Sequence, residues 1–175
     1  FENLCKNAKK YGIRIILDGV FNHTGSDSLY FNKNGNYDSL GAYQSQNSPY
    51  YDWFRFFDFP NKYESWWGID TLPQTEEKSE SFQKYILTDE NSVVKKWLKK
   101  GASGWRLDVV DELPDFFVKL LRREVKNENP EAVIIGEVWE DASNKVAYGE
   151  KRQYLMGGEL DSVLNYPLRN AMAEF

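Results

Sequence analysis

"GWRLDVVDEL", residues 104–113, sets Arg106 and Asp108 inside a stretch that otherwise reads as a buried strand. Charges on a buried face are costly unless they are paired or used. Strand alternation puts Arg106 and Asp108 on one face with Gly104 and Val110. A second apolar run, "AVIIGEVW" (132–139), repeats the pattern, with Val133, Ile135 and Glu137 on one face and the acid near the C-terminal end. Between the two lies "LPDFFVKLLRREVKNENP" (113–130), which predicts an amphipathic helix with Pro114 near its first turn and Pro130 beyond its end.

The pattern continues outward. "SVVKKWLKKG" (92–101) predicts a short helix with Ser92 as N-cap and Gly101 near its end. Phe1, Leu4, Cys5 and Ala8 follow helical spacing, Gly12 sits where that helix would stop, and the sequence is expected to begin inside it. "IRIILDGVF" (13–21) reads as a strand covered on both faces. Past "AVIIGEVW" come a polar segment with room for one helical turn, a weaker strand "LDSVLNY" (160–166), and a helix opened by Pro167. Strands alternating with helices predict right-handed βαβ units and a parallel sheet.

Residues 24–88 break this rhythm, and a structureless loop of that length is improbable in a compact domain. They are expected to form an inserted subdomain, with 1–23 and 89–175 forming a partial (β/α) barrel. Sixteen of the 28 aromatic residues fall within 24–88, so the enrichment is local and points to a subdomain packed on rings. Tyr50, Tyr51, Trp53, Phe54, Phe56 and Phe57 are assigned to that packing, whereas Tyr63, Trp66 and Trp67 are candidates for stacking on sugar. "NKNGNYD" (32–38) lacks the Gly and Glu placement of a calcium loop and reads as a polar turn.

Composition removes several classes. Net charge is −5 with no basic stripe, which excludes a nucleic-acid binder. No run approaches the roughly 18 apolar residues of a membrane helix. One cysteine and one histidine exclude a disulfide framework and a zinc site of N and S ligands. No G-x-G-x-x-G or G-x-x-x-x-G-K-[ST] follows any strand, so a doubly wound nucleotide fold is disfavoured. Polar residues instead gather at strand C-termini, as in (β/α)₈ barrels. Four strands amount to about half of such a barrel.

If the strands carrying Asp108 and Glu137 are neighbours, they lie about 4.7–4.9 Å apart. Their carboxyls could then approach about 5–5.5 Å, the spacing of a retaining glycosidase pair. Arg106 beside Asp108 favours an ionised nucleophile, and the apolar setting of Glu137 near another carboxylate favours a protonated acid. From spacing alone, a structural Arg–Asp pair with a solvated Glu137 is the alternative. For Asp18 and His23, ordinary capping or loop roles are the alternative.

Three stretches, "DGVFNH" (18–23), "GWRLDVVDE" (104–112) and "GEVW" (136–139), resemble in order the signature motifs of the α-amylase family of glycoside hydrolases. "YESWWGIDTLP" (63–73) is similar to the inserted-domain signature of its cyclomaltodextrinase, neopullulanase and maltogenic amylase branch, although "LPQTEE" (72–77) departs from the Lys-Leu-Asn common there. The resemblance implies an α/β fold, a partial TIM (β/α)₈ barrel holding the third to sixth strands. It implies Asp108 as nucleophile, Glu137 as acid/base, Arg106 orienting the nucleophile, and His23 on the sugar. Asp18 is implied to be supportive. Asn22 is implied to tie the inserted domain and is a candidate calcium ligand; no cofactor is otherwise required. The implied substrate is an α-glucan oligosaccharide. For the whole protein the resemblance points to a homodimer and a cytoplasmic compartment. The family's third catalytic carboxylate, an Asp after a His, has no counterpart in these 175 residues, which are therefore expected to be inactive alone. A glucan transferase of the same family and a non-catalytic sugar-binding or partner-binding relative are the competing functions.

Overall fold

A computed structural model describes residues 1–175. In chain order the elements are helix α1 (Glu2–Lys10), strands β1 (Leu17–Gly19), β2 (Phe56–Asp58) and β3 (Lys62–Tyr63), helices α2 (Glu80–Gln83) and α3 (Val93–Lys99), strand β4 (Gly104–Leu107), helix α4 (Asp115–Glu128), strands β5 (Val133–Gly136), β6 (Val146–Ala147), β7 (Glu150–Lys151) and β8 (Ser162–Val163), and helix α5 (Tyr166–Glu174). They divide into two compact units, one made of Phe1–Gly19 with Ile86–Phe175 and the other of Val20–Tyr85.

The first unit is an open, all-parallel sheet in the order β1-β4-β5-β8. It is part of a TIM barrel and does not close. Its core is built by the residues that the periodicities select. Phe117, Val118, Leu121 and Val125 line the buried side of α4, beside Val94 and Leu98 of α3, with Trp105, Leu107 and Ile134 from the strands. Burying each such aliphatic or aromatic side chain stabilises the fold by roughly 1.5–3 kcal/mol. Pro114 is the N-cap of α4, and Asp115 adds negative charge to its first turn, where the helix dipole favours it. Gly104 allows β4 and β5 to approach: a Cβ there would lie 2.1 Å from the Val133 carbonyl oxygen.

Three local expectations are corrected. Ser92 is the N-cap of α3, but its hydroxyl makes no capping bond; it donates to the Leu87 carbonyl (2.9 Å), a partner in the preceding turn. The run 13–21 gives only a three-residue strand, and Ile13 and Ile16 are exposed, because β1 has a neighbour on one side alone. The polar segment after β5 holds a helical turn (Ala142–Asn144) and also a small antiparallel hairpin, β6–β7. That segment is anchored by buried Arg152, whose guanidinium donates to Asp115 (3.0 Å) and to the Leu113 carbonyl, and by Tyr154, which donates to Asp111 (2.8 Å).

The second unit packs on rings. Phe31 is fully buried against Tyr63 (4.7 Å), Phe54 (4.9 Å) and Phe56 (5.9 Å). Trp53 is buried against Tyr30, Tyr50, Phe82 and Tyr85, and its indole N–H donates to Ser81 (2.8 Å). Such pairs add about 0.5–1.5 kcal/mol each beyond area burial. Phe57 is the exception among the six packing aromatics: at 68% exposed it lies outside the cluster, on the opposite side of β2 from Phe56. The stretch 32–38 is a polar turn, with the Asn32 amide donating to the carbonyls of Tyr37 and Ser39 (both 2.9 Å).

Glu77 is buried in a unit otherwise built on rings, with Thr75 Oγ1 at 3.3 Å. Burial pushes its carboxyl up to about 8, so it stays protonated at neutral pH. The native state then holds a proton that the unfolded chain releases near 4.5. The stabilisation is complete below that value and is lost as pH rises towards about 8. Glu77→Gln keeps a neutral group in place. It is expected to flatten the fall in thermal stability between pH 5 and pH 8, by up to a few kcal/mol at the alkaline end. Parallel melting-temperature profiles for the variant and wild type would remove this assignment.

Candidate active site

The register of the parallel sheet sets the site. Asp18 pairs with Arg106 and Arg106 with Ile135, while Gly19, Leu107 and Gly136 stand one step further along. Asp108 and Glu137 each follow one residue later, so the two acids leave neighbouring strands at one level. Their backbones are tied there: Asp108 N–H donates to Gly19 O (3.1 Å), Glu137 N–H to Leu107 O (2.9 Å), and Val110 N–H to Glu137 O (3.1 Å). Gly136 leaves room for this junction, because a Cβ on it would meet Leu160 Cδ1 at 2.4 Å.

Arg106 sits between three carboxylates. Its Nη1 donates to Asp18 Oδ1 and Asp108 Oδ1, both at 2.7 Å, and its Nη2 lies 2.7 Å from Glu137 Oε2. One guanidinium thus fixes both acids of the expected pair, a geometry that a point-charge Lys cannot reproduce. Asp18 is 59% exposed, so its share of the pairing is the weakest. Glu137 is held further by the N–H of Val109 on Oε2 and the hydroxyl of Tyr166 on Oε1, both at 3.1 Å. Val109 reaches that position with φ 36°, ψ 62°, a left-handed conformation disfavoured for a β-branched residue and found where function constrains the backbone.

The protonation expected of Glu137 is reversed in this resting arrangement. Burial pushes its carboxyl up. Hydrogen bonds from the side chain of Trp139 and from Val109 N–H, the charge of Arg106 and the Tyr166 hydroxyl outweigh burial and hold it below the usual carboxylate value. Apolar neighbours and a second acid are visible in the sequence, whereas these donors are not. Tyr166 shows the reciprocal effect, with burial and its bond to Glu137 raising the phenol.

The inserted unit carries a separate group. His23 lies against Trp66 (ring centroids 5.0 Å), and Trp67 stacks on Trp66 (4.7 Å, 11°) with 62% of its surface exposed. Residues 22–26 and 71–75 run together through bonds such as Thr75 N–H to Asn22 O and Thr24 N–H to Pro73 O (both 3.1 Å). Tyr63 differs from the tryptophans. Its hydroxyl accepts from Lys33 (2.9 Å) and donates to Asp70 O (2.7 Å), and its ring packs on Phe31, Phe56 and Tyr43. Asn22 is fully buried, and nowhere do three or more His, Cys, Asp or Glu side chains form a group able to hold a metal ion. A cavity of about 810 Å³ opens at the other end of the strands, beside Lys6, Lys9, Arg14 and Ser103, and none of the residues around Arg106 lines it.

Parallel strands bearing acids at their C-terminal ends are the arrangement of a (β/α)-barrel enzyme. The family model described as the α-amylase catalytic domain matches residues 1–175. An amylopullulanase from Thermoanaerobacterium saccharolyticum is 40% identical over 193 residues, covering 100% of this chain and 14% of that protein. A cyclomaltodextrinase from Thermoanaerobacter pseudethanolicus is 38% identical over 187 residues, covering 99% of this chain and 28% of that protein. Among solved structures, the cyclic α-maltosyl-(1→6)-maltose hydrolase of Arthrobacter globiformis, in complex with that sugar, matches with a TM-score of 0.82 at 26% identity, over 100% of this chain and 36% of the other. The chain belongs to the α-amylase family of glycoside hydrolases.

Three residues around Glu137 were not singled out from sequence. Trp139 closes "GEVW", where the sequence gives it no role of its own. Tyr166 opens α5 straight after the strand next to β5, a place where polar residues deserve scrutiny in any barrel. Val109 carries no sequence signal, because its part is played by the backbone.

Proposed function

We propose that the protein containing this chain is a retaining α-glucan hydrolase acting on maltooligosaccharides, cyclodextrins or pullulan-type substrates. The observation that carries this is the pair Asp108 and Glu137, set at one level on adjacent strands and bridged by the two arms of Arg106. Asp108 attacks the anomeric carbon as the C–O bond to the leaving sugar breaks, and Glu137 gives that oxygen its proton. A covalent sugar–Asp108 ester results. Water then loses a proton to Glu137 and attacks the same carbon, the ester bond breaks, and the product keeps its original configuration. Arg106 orients Asp108, and Asp18 supports Arg106. His23, Trp66 and Trp67 are assigned to sugar contacts. Trp67 has the most open face of the rings, while Tyr63 is taken up by packing and becomes the weakest of the sugar-binding assignments.

Substrate entry resolves the low resting position of Glu137. A sugar in the cleft displaces water and adds to the desolvation that already pushes this carboxyl up, moving it towards the protonated acid. The test is the anomeric configuration of the first product, followed by NMR with the full-length protein and maltooligosaccharide. An α-configured first product is expected; a β-configured one would overturn the double displacement. Transfer to a sugar acceptor is the second outcome the site allows, since an acceptor hydroxyl can take the place of water. It would appear as longer products at high acceptor concentration.

A further inference from the structure

We infer that Tyr166 is a positioning residue of the acid/base, holding the Glu137 carboxylate through a hydrogen bond donated to Oε1. This rests on the proposed hydrolysis and deepens it. The donors around Glu137 differ in kind. Val109 N–H and Arg106 Nη2 both address Oε2, and neither can accept a proton. Both are also pinned, the first by backbone and the second by the bonds of Arg106 to Asp18 and Asp108. Tyr166 addresses the other oxygen, Oε1, at 3.1 Å. A phenol hydroxyl donates to the ionised carboxylate and so favours the form of Glu137 that takes the proton from water in the second step.

Its location suits this. The ring stands at the first residue of α5, a helix capped by Asn165 Oδ1 accepting from Leu168 N–H (3.0 Å), and it is half-buried. The charged and titratable groups around this carboxyl are Asp18 of β1, Arg106 of β4 with Asp108 just beyond it, and Tyr166 with Arg169 of α5.

The experiment is Tyr166→Phe in the full-length protein, with kcat/KM followed against pH on a maltooligosaccharide. Loss of a donor to the ionised form should move the alkaline limb, which reports the protonated acid, to higher pH. At the optimum kcat should fall about tenfold with little change in KM, as for loss of one hydrogen bond to a charged group. An aryl maltoside with a good leaving group, whose first step needs no proton, should lose much less in that step. Substituting 3-fluorotyrosine at position 166 strengthens donation without altering the packing and should move the limb to lower pH. An unmoved limb in both variants, or equal losses on both substrates, overturns the inference. Failure of the broader proposal looks different: wild-type protein would give no α-configured product, or Asp108→Asn would remain active, whatever Tyr166 does.

Discussion

Asp108→Asn in the intact enzyme is expected to reduce kcat by about 10⁴-fold or more, the scale seen when a covalent nucleophile is removed. The substitution keeps shape and removes only the charge that attacks. Its ion-pair partner Arg106 keeps Asp18 and Glu137, so the melting temperature should change little. Glu137→Gln is expected to cost about 10²–10⁴-fold on natural glucan, the usual share of general acid–base catalysis. The two variants should part on an aryl maltoside. With a good leaving group, Glu137→Gln should still form the sugar–Asp108 ester and release an initial burst of phenol, because that step needs little proton donation. Asp108→Asn should show no burst on any leaving group. Near-normal turnover of glucan by either variant, measured on folded protein, would remove the assigned roles.

The strand-end acids were legible because strand alternation is rigid. Once "GWRLDVV" and "AVIIGEVW" are strands, Arg106 must face the same way as Asp108, and Glu137 emerges beside it if the strands are neighbours, as β4 and β5 are. The helix α4 was legible for the same reason, its buried positions falling on one face between Pro114 and Pro130. What failed was set by partners that hydropathy does not record. The first strand is shorter than its apolar run because pairing along one edge defines it, and one-dimensional hydropathy does not record which edges are filled. Ser92 was placed correctly as a boundary but assigned the wrong hydrogen bond, since a hydroxyl chooses among nearby acceptors by geometry. The protonation of Glu137 was misjudged for a related reason. Burial is visible in an apolar run, whereas a donor 29 residues further on, at Tyr166, is not. Val109 marks the limit of sequence reasoning. Its side chain looks like core, and its contribution to the site is one strained backbone N–H aimed at Oε2.

Arg106→Met is expected to lower kcat/KM by about 10²–10³-fold, on the scale of removing one partner from a desolvated, hydrogen-bonded ion pair. The side chain retained is of similar length and fills the space, so the loss isolates charge and hydrogen bonding. Without the guanidinium, Asp18, Asp108 and Glu137 stand together with no cation among them. Neighbouring carboxylates that lose a shared counter-charge hold protons more tightly as a group than they do around the cation. The acidic limb of the kcat/KM profile should therefore move to higher pH in Arg106→Met, a change that simple mispacking would not produce. Arg106→Lys should recover part of the loss, because it restores the charge but offers one ammonium where two arms now reach three acids at 2.7 Å. Asp18→Asn should be the mildest of the set, no more than a few-fold, since that carboxylate is mostly in solvent and leaves Arg106 held by the other two. An Arg106→Met enzyme with the wild-type acidic limb, or an Asp18→Asn loss as large as that of Arg106→Met, would show that the guanidinium is not the shared counter-charge of the pair.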